Sequence, residues 1–182
     1  MLEKYALVSA MKTILAFPNR SFSVRGLAKE AGLSPGAAGT ALEYMHKKGI
    51  VSLKAIGNTY QYKASLDSPL CRQWKILFNL DKITDSKVVE ELVKRVPAIQ
   101  SVLLYGSFAK GTNDEKSDID LLVIVQHPIK TDLGFVNRLK KEANLSVLSL
   151  NEWRKKAVEN KVFYENVILD CIVLLGEKPV VV

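Results

Sequence analysis

Apolar residues along the first third of the chain recur at helical spacing and then give way to alternation. Between Tyr5 and Phe17, Leu7, Val8, Met11, Ile14 and Leu15 fall on one helical face, and Pro18-Asn19 ends the run. Ser23 is placed to cap a second helix through Leu27 and Ala28 to Ala31, which Gly32 closes. Ser34-Pro35 opens a third, with a capping residue ahead of proline at the first helical position. That helix turns Ala38, Ala41, Leu42 and Met45 inward and stops at Gly49. The run from Ile50 to Leu53, the Gly57-Asn58 tip and the alternating Tyr60-Gln61-Tyr62 then predict a β-hairpin, with both tyrosines directed at the core.

Beyond Ser65 the pattern changes. CRQWKILFNL predicts a connector helix in which Trp74, Leu77 and Phe78 pack against a domain, followed by a helix from Val88 to Val96 that Pro97 stops. Ser101–Tyr105 and Ile119–Val125 are apolar enough to be buried strands. A helix over Thr131–Ala143, a strand over Leu145–Leu150, a helix over Glu152–Glu159 and an extended piece over Cys171–Leu175 complete the reading. Strands alternating with helices indicate an α+β or mixed α/β fold with a small sheet flanked by helices. The predicted organisation is a domain over residues 1–66, a helical connector over 67–90 and a second domain over 91–182.

The order helix, helix, three-residue turn, helix, hairpin in FSVRGLAKEAGLSPGAAGTALEYMHKKGIV and GNTYQYKA resembles a winged helix-turn-helix domain across nearly all of residues 1–65. That resemblance implies a third helix entering a DNA groove and a hairpin wing against the backbone. Arg20, Arg25, Lys29, Lys47, Lys48, Lys54 and Lys63 are the candidates for phosphate contacts. The front of the third helix carries Pro35, Gly36, Ala37, Gly39 and Thr40, which lack the Arg, Asn and Gln side chains that read base edges. Non-specific DNA, structured RNA and a protein partner all stay open.

The chemistry lies in Leu104-Tyr105-Gly106-Ser107-Phe108-Ala109-Lys110-Gly111 and in Ser117-Asp118-Ile119-Asp120-Leu121. A strand ends at Gly106, which lets the backbone come close to a ligand, and a helix begins at Ser107. Backbone N–H groups at that helix start and the Ser107 hydroxyl suit an anion. Asp118 and Asp120, two apart at the head of a strand, project from one face, where their charges repel unless a cation such as Mg²⁺ lies between them.

Gly-Ser, a small helix, Gly and then Asp-x-Asp in an apolar strand resemble the signature of the DNA polymerase β-type nucleotidyltransferase superfamily, and GSFAKGTNDEKSDIDLLV follows it throughout. The small size resembles the minimal nucleotidyltransferases of bacteria and archaea. The resemblance implies an NTP held at Gly106 and Ser107, Mg²⁺ on Asp118 and Asp120, and transfer of a nucleoside monophosphate to an acceptor. It also implies a third carboxylate on a neighbouring strand. Here that strand reads Asn144-Leu145-Ser146-Val147-Leu148-Ser149, and its inward positions, Asn144 and Ser146, carry no acid. Glu142 and Glu152 flank it.

Charge sharpens the division. The net charge is +7, and residues 1–66 hold nine Lys/Arg against three Asp/Glu, so the basic excess sits in the first domain, where a polyanion would meet it. Two distant cysteines, Cys71 and Cys171, suit buried reduced thiols in a cytoplasmic protein rather than a disulfide framework or zinc site. No apolar run nears the ~20 residues of a membrane span, and Glu3, Lys4 and Lys12 interrupt the N-terminal stretch, which reads as an amphipathic helix rather than a signal peptide. Three functions follow as expectations: a slow Mg²⁺-dependent nucleotidyltransferase, a DNA-binding regulator that senses nucleotide, and an antitoxin-like module paired with a toxin-like protein.

Overall fold

A computed structural model describes residues 5–128 and 143–181, and its chain divides into two compact units. Met1–Phe78 with Asp114–Lys116 form one; Asn79–Asn113 with Ser117–Val182 form the other.

In the first unit, α1 (Ala6–Ala16), α2 (Val24–Ala31) and α3 (Pro35–Lys47) precede an antiparallel hairpin of β1 (Val51–Ile56) and β2 (Thr59–Ala64). Local chemistry sets each boundary. The Ser23 hydroxyl accepts from the Gly26 N–H and the Ser34 hydroxyl from the Ala37 N–H, so the starts of α2 and α3 each have one orphan donor met by a side chain. Gly32 closes α2 in the left-handed region at φ +66°, which a side chain would resist. Met11, Ile14, Leu27, Leu42 and Met45 form the core with Phe22. Phe22 also exchanges two backbone hydrogen bonds with Tyr62, of 2.8 and 2.9 Å, and so seats the hairpin against that core.

Two expectations need correction here. Tyr62 is buried but Tyr60 is 62% exposed, because the hairpin tip extends past the last residue that the helices can cover. Along α4 (Pro69–Ser86), Cys71, Trp74 and Phe78 do pack on this core, whereas Leu77 falls on the outer face and is exposed. Lys75, on the same helix, is buried, and its ammonium donates to the Leu15 carbonyl at the end of α1 over 2.8 Å.

The second unit is built on a four-stranded sheet ordered β5-β4-β3-β6, formed by β3 (Ile99–Tyr105), β4 (Ile119–Val125), β5 (Ala143–Ser149) and β6 (Ile172–Gly176). β3 runs antiparallel to β4 and β6, and β4 runs parallel to β5, so the sheet is mixed. Alternation along the two central strands fills two layers. Val102, Leu104, Leu121 and Val123 face Val88 and Leu92 of α5 (Val88–Arg95) and Phe108 of α6 (Gly106–Lys110). Leu103, Leu122 and Ile124 face Trp153 of α7 (Leu150–Glu159) and Val167 of α8 (Lys161–Asp170).

The fold is mixed α and β, as the pattern predicts. Helix α8 is an addition to it. Val167 is buried while Val162 and Leu169 are exposed, so apolar residues surround this helix and blur its period. Of the helix expected over Thr131–Ala143, residues 131–142 lie outside the described residues, and Ala143 opens β5. Both cysteines are free thiols, Cys71 buried and Cys171 only partly so. Among the described residues no helix is long and apolar enough to cross a membrane.

Candidate functional site

β3 delivers Tyr105 and then turns into α6 at Gly106, whose φ is +69°. This backbone shape favours glycine, and the surroundings demand it: a Cβ here would collide with Asp120 Oδ2. The glycine therefore makes room first for a carboxylate of the protein itself. Ser107 follows in the first turn of α6, and its carbonyl accepts from the N–H groups of Gly111 and Thr112, which closes the helix.

Asp120 is the second residue of β4, paired with Tyr105 across the antiparallel ladder and with Asn144 across the parallel one. These three residues form a row over the ends of three strands. Asn144 Nδ2 donates to Asp120 Oδ1 over 3.1 Å. Asp118 stands two residues earlier, just ahead of β4 and half-buried. Burial raises the Tyr105 phenol above its ordinary value, the charge of Asp120 adds to that, and a hydrogen bond with Ser146 opposes both. The carboxylate thus lies against the backbone of Gly106 and accepts from Asn144, with the Tyr105 phenol near enough to feel its charge.

Among the described residues no three His, Cys, Asp or Glu side chains converge. Of the two β5 positions expected to face the site, Asn144 lies beside Asp120 and Ser146 pairs with Leu122, and neither is an acid. Glu152 is engaged elsewhere: its Oε2 accepts from the Ser149 backbone N–H and hydroxyl, both over 2.7 Å, while the Ser149 hydroxyl accepts from the Glu152 N–H. This capping box starts α7 and holds the Glu152 carboxyl below its ordinary value. Glu142 lies outside the described residues.

Sequence reasoning missed two buried amides. Asn79 Nδ2 on α4 donates to the Phe108 carbonyl and to Asn113 Oδ1, both over 2.9 Å, and so holds α6 and the residues after it. The only signal was an asparagine inside an otherwise apolar helical stretch, a poor helix former in an interior position. Lys110 pairs with Asp170 at the end of α8 over 2.7 Å.

Of the basic residues in the first unit, Arg25, Lys29, Lys47, Lys48, Lys54 and Lys63 are exposed. Arg20 is partly engaged, paired with Glu30 over 3.2 Å and stacked 4.5 Å over the Phe22 ring. Lys48 lies 5.9 Å from the centre of the Tyr44 ring.

The family model of the nucleotidyltransferase domain matches residues 85–175, half of the chain, a span that includes α6, both aspartates and β5. No curated protein matches the sequence. Among solved structures, a toxin–antitoxin complex with AMP-PNP is 20% identical, with 52% of this chain and 74% of that one covered and a TM-score of 0.39. A DNA-binding protein from Sulfolobus solfataricus is 17% identical over 47% of this chain and 94% of its own, with a TM-score of 0.35. An archaeal chromatin protein is 14% identical over 90% and 70% of the two chains, with a TM-score of 0.30. Similarity this low assigns no residue, and the site stands on its own geometry.

Proposed function

The chain belongs to the nucleotidyltransferase domain family, and we propose that it binds an NTP with Mg²⁺ at Gly106, Ser107, Asp118 and Asp120 and transfers the nucleoside monophosphate slowly to an acceptor hydroxyl. The observation that carries this reading is Asp120 seated against the backbone of Gly106, with Asp118 two residues before it.

The donor set fits one magnesium ion. Two carboxylates with phosphate oxygens are what such an ion commonly takes, and bound there it would offset charge on the α-phosphate and on the departing pyrophosphate. The chain's own part is to fix Asp120 between two strands and to bring Ser107 to the same turn. Among the described residues no third acid joins Asp118 and Asp120 to take the acceptor proton, and the side chain that donates to Asp120 is the Asn144 amide. A general base typically contributes about 10²–10⁴-fold, so the reading is a slow enzyme rather than an inert one.

Incubating the full chain with labelled ATP, Mg²⁺ and a panel of nucleic-acid, protein and small-molecule acceptors tests transfer. Calorimetry on Asp118→Asn and Asp120→Asn tests the site. Both variants should fold and lose Mg²⁺-dependent nucleotide affinity. Unchanged affinity in both would sink the two-carboxylate reading.

The Asn144–Asp120 hydrogen bond favours a second reading, a nucleotide-sensing regulator without turnover. We infer for the first unit a winged helix that binds duplex DNA or structured RNA through Arg25, Lys47, Lys48 and Lys54, with Arg20 contributing less because Glu30 already holds it. Binding of the full chain to labelled duplex DNA and to an RNA hairpin across a salt series checks this. Affinity should fall steeply with salt and depend little on sequence, and Lys47→Ala with Lys48→Ala should flatten the log–log slope by about 2. Absence of binding at low salt would make this unit a protein-interaction module.

A further inference from the structure

We propose that Asn79 is a positioning residue for the nucleotide site, its buried amide clamping Gly106–Asn113 in the shape that the triphosphate meets. The proposal rests on the nucleotide-binding reading above. Helix α6 has only five residues, far short of the roughly 12–15 that give a helix marginal stability on its own. Something outside it must hold its form. Phe108 and Ala109 supply apolar anchors, being buried in the layer beneath the sheet. The backbone needs more, because the carbonyls at a helix end have no partner within the helix. Ser107 O is met by two N–H groups just beyond the helix, and Phe108 O by Asn79 Nδ2 over 2.9 Å.

The second N–H of the same amide group goes to Asn113 Oδ1, also over 2.9 Å. One amide therefore grips two points five residues apart, on either side of the left-handed turn at Gly111. Asn79 is 8% exposed and Asn113 6%, so water is poorly placed to substitute. A buried carbonyl that loses its donor carries its full desolvation cost. The residues between the grips cannot then drift without breaking buried hydrogen bonds, and Ser107 lies one residue before the first of them.

The test compares the native full chain with Asn79→Leu, Asn113→Ala and Asn113→Asp. Mg·ATP affinity is read by calorimetry at a temperature where each is folded, and amide hydrogen exchange is followed in the nucleotide-free chains. Asn79→Leu and Asn113→Ala should each weaken Mg·ATP binding roughly tenfold and speed exchange over residues 106–113, with β4 as protected as in the native chain. Asn113→Asp retains the acceptor oxygen, so exchange over residues 106–113 should return toward the native rate. Its Mg·ATP affinity should stay weakened, because the variant adds a negative charge beside the triphosphate. Exchange as fast as in Asn113→Ala would count against the clamp. Should Asn79→Leu fail to fold, Asn113→Ala removes one grip without altering α4 and decides the matter. A lowered melting temperature with unchanged exchange over 106–113 and unchanged affinity would overturn the clamp. If the native chain binds no Mg·ATP, the nucleotide reading fails separately. Exchange over 106–113 in the nucleotide-free variants still decides the clamp, upholding it if faster and overturning it if unchanged.

Discussion

Asp120 has two unlike flanks. Toward α6 the chain has removed every atom it can: Gly106 carries no side chain, and a Cβ there would strike the carboxylate. Toward β5 it has added a group, the Asn144 amide, which donates directly to Oδ1. One flank admits the carboxylate only because a side chain is missing, and the other is occupied by a neutral donor. The contrast separates two functions that a single carboxylate could serve. The bare glycine backbone seats the carboxylate at the turn into α6, whereas the donor on the far side steadies the aspartate without taking a proton from anything. On the proposed reading, binding and turnover rest on different neighbours of one residue, and each can be altered alone.

The strongest alteration acts on the occupied flank. Asn144→Asp exchanges the amide for an acid of nearly the same shape beside Asp120. We expect transfer from labelled ATP to rise by about 10²–10⁴-fold, the contribution of a positioned base, with Mg²⁺ dependence steepened because a further carboxylate is available. Ser146→Asp, two pairs further along β5 opposite Leu122, should raise it less. A native chain that already turns over quickly would show that the acid comes from elsewhere. Tight Mg·NTP binding with no transfer in native or variant chains would move the reading to the nucleotide sensor.

The glycine flank yields a smaller effect measured on stability. Gly106→Ala places a Cβ against Asp120 Oδ2 on a backbone at φ +69°. A non-glycine residue held in such a shape costs about 1–3 kcal/mol, and the aspartate must also turn aside. The expected outcome is a lower melting temperature together with loss of Mg·ATP affinity. An alanine variant that melts and binds like the native chain would mean that the turn relaxes freely, and the contrast between the flanks would dissolve.

How much of this was legible in the sequence depends on the range of the interaction. Ser23, Gly32 and Ser34-Pro35 act within four residues of themselves, and the helices begin and end where those residues say. β4 announces itself by an unbroken apolar run, fully buried from Leu121 to Val125. The aspartates and Gly106 were also legible as a motif, although the reason for the glycine was not. Its tight neighbour is Asp120, fourteen positions away and brought close by the β3–β4 ladder. The Asn79 clamp spans 29 and 34 positions, and its local trace, one asparagine in a helical stretch, does not say what the amide holds. Tyr60 shows the limit of periodicity: it shares a face with Tyr62, but alternation does not say where along a hairpin the core stops.

The smallest expected effect concerns the other acid near β5. Glu152 stands three residues beyond the end of that strand, close enough in sequence to be suspected of supplying the missing carboxylate. Its hydrogen bonds give it a different task. The Ser149 hydroxyl, and then the Ser149 backbone N–H, hold its carboxyl below the ordinary carboxylate range. A carboxyl lowered by folding stabilises the folded state fully above its unfolded value, near 4.3, and that contribution is lost as pH falls through the folded value. Glutamine can still accept from Ser149, so Glu152→Gln keeps much of the capping box but no longer titrates. We expect it to lower stability at neutral pH by well under about 1 kcal/mol, since the side chain is exposed and screened by solvent. The acid limb of the stability profile below about pH 4.3 should flatten slightly, as followed by thermal melts across pH. Transfer should be unchanged. A large loss of transfer in Glu152→Gln, with stability intact, would make Glu152 the acid that Asn144 is not, and would place the base at the head of α7 instead of beside Asp120.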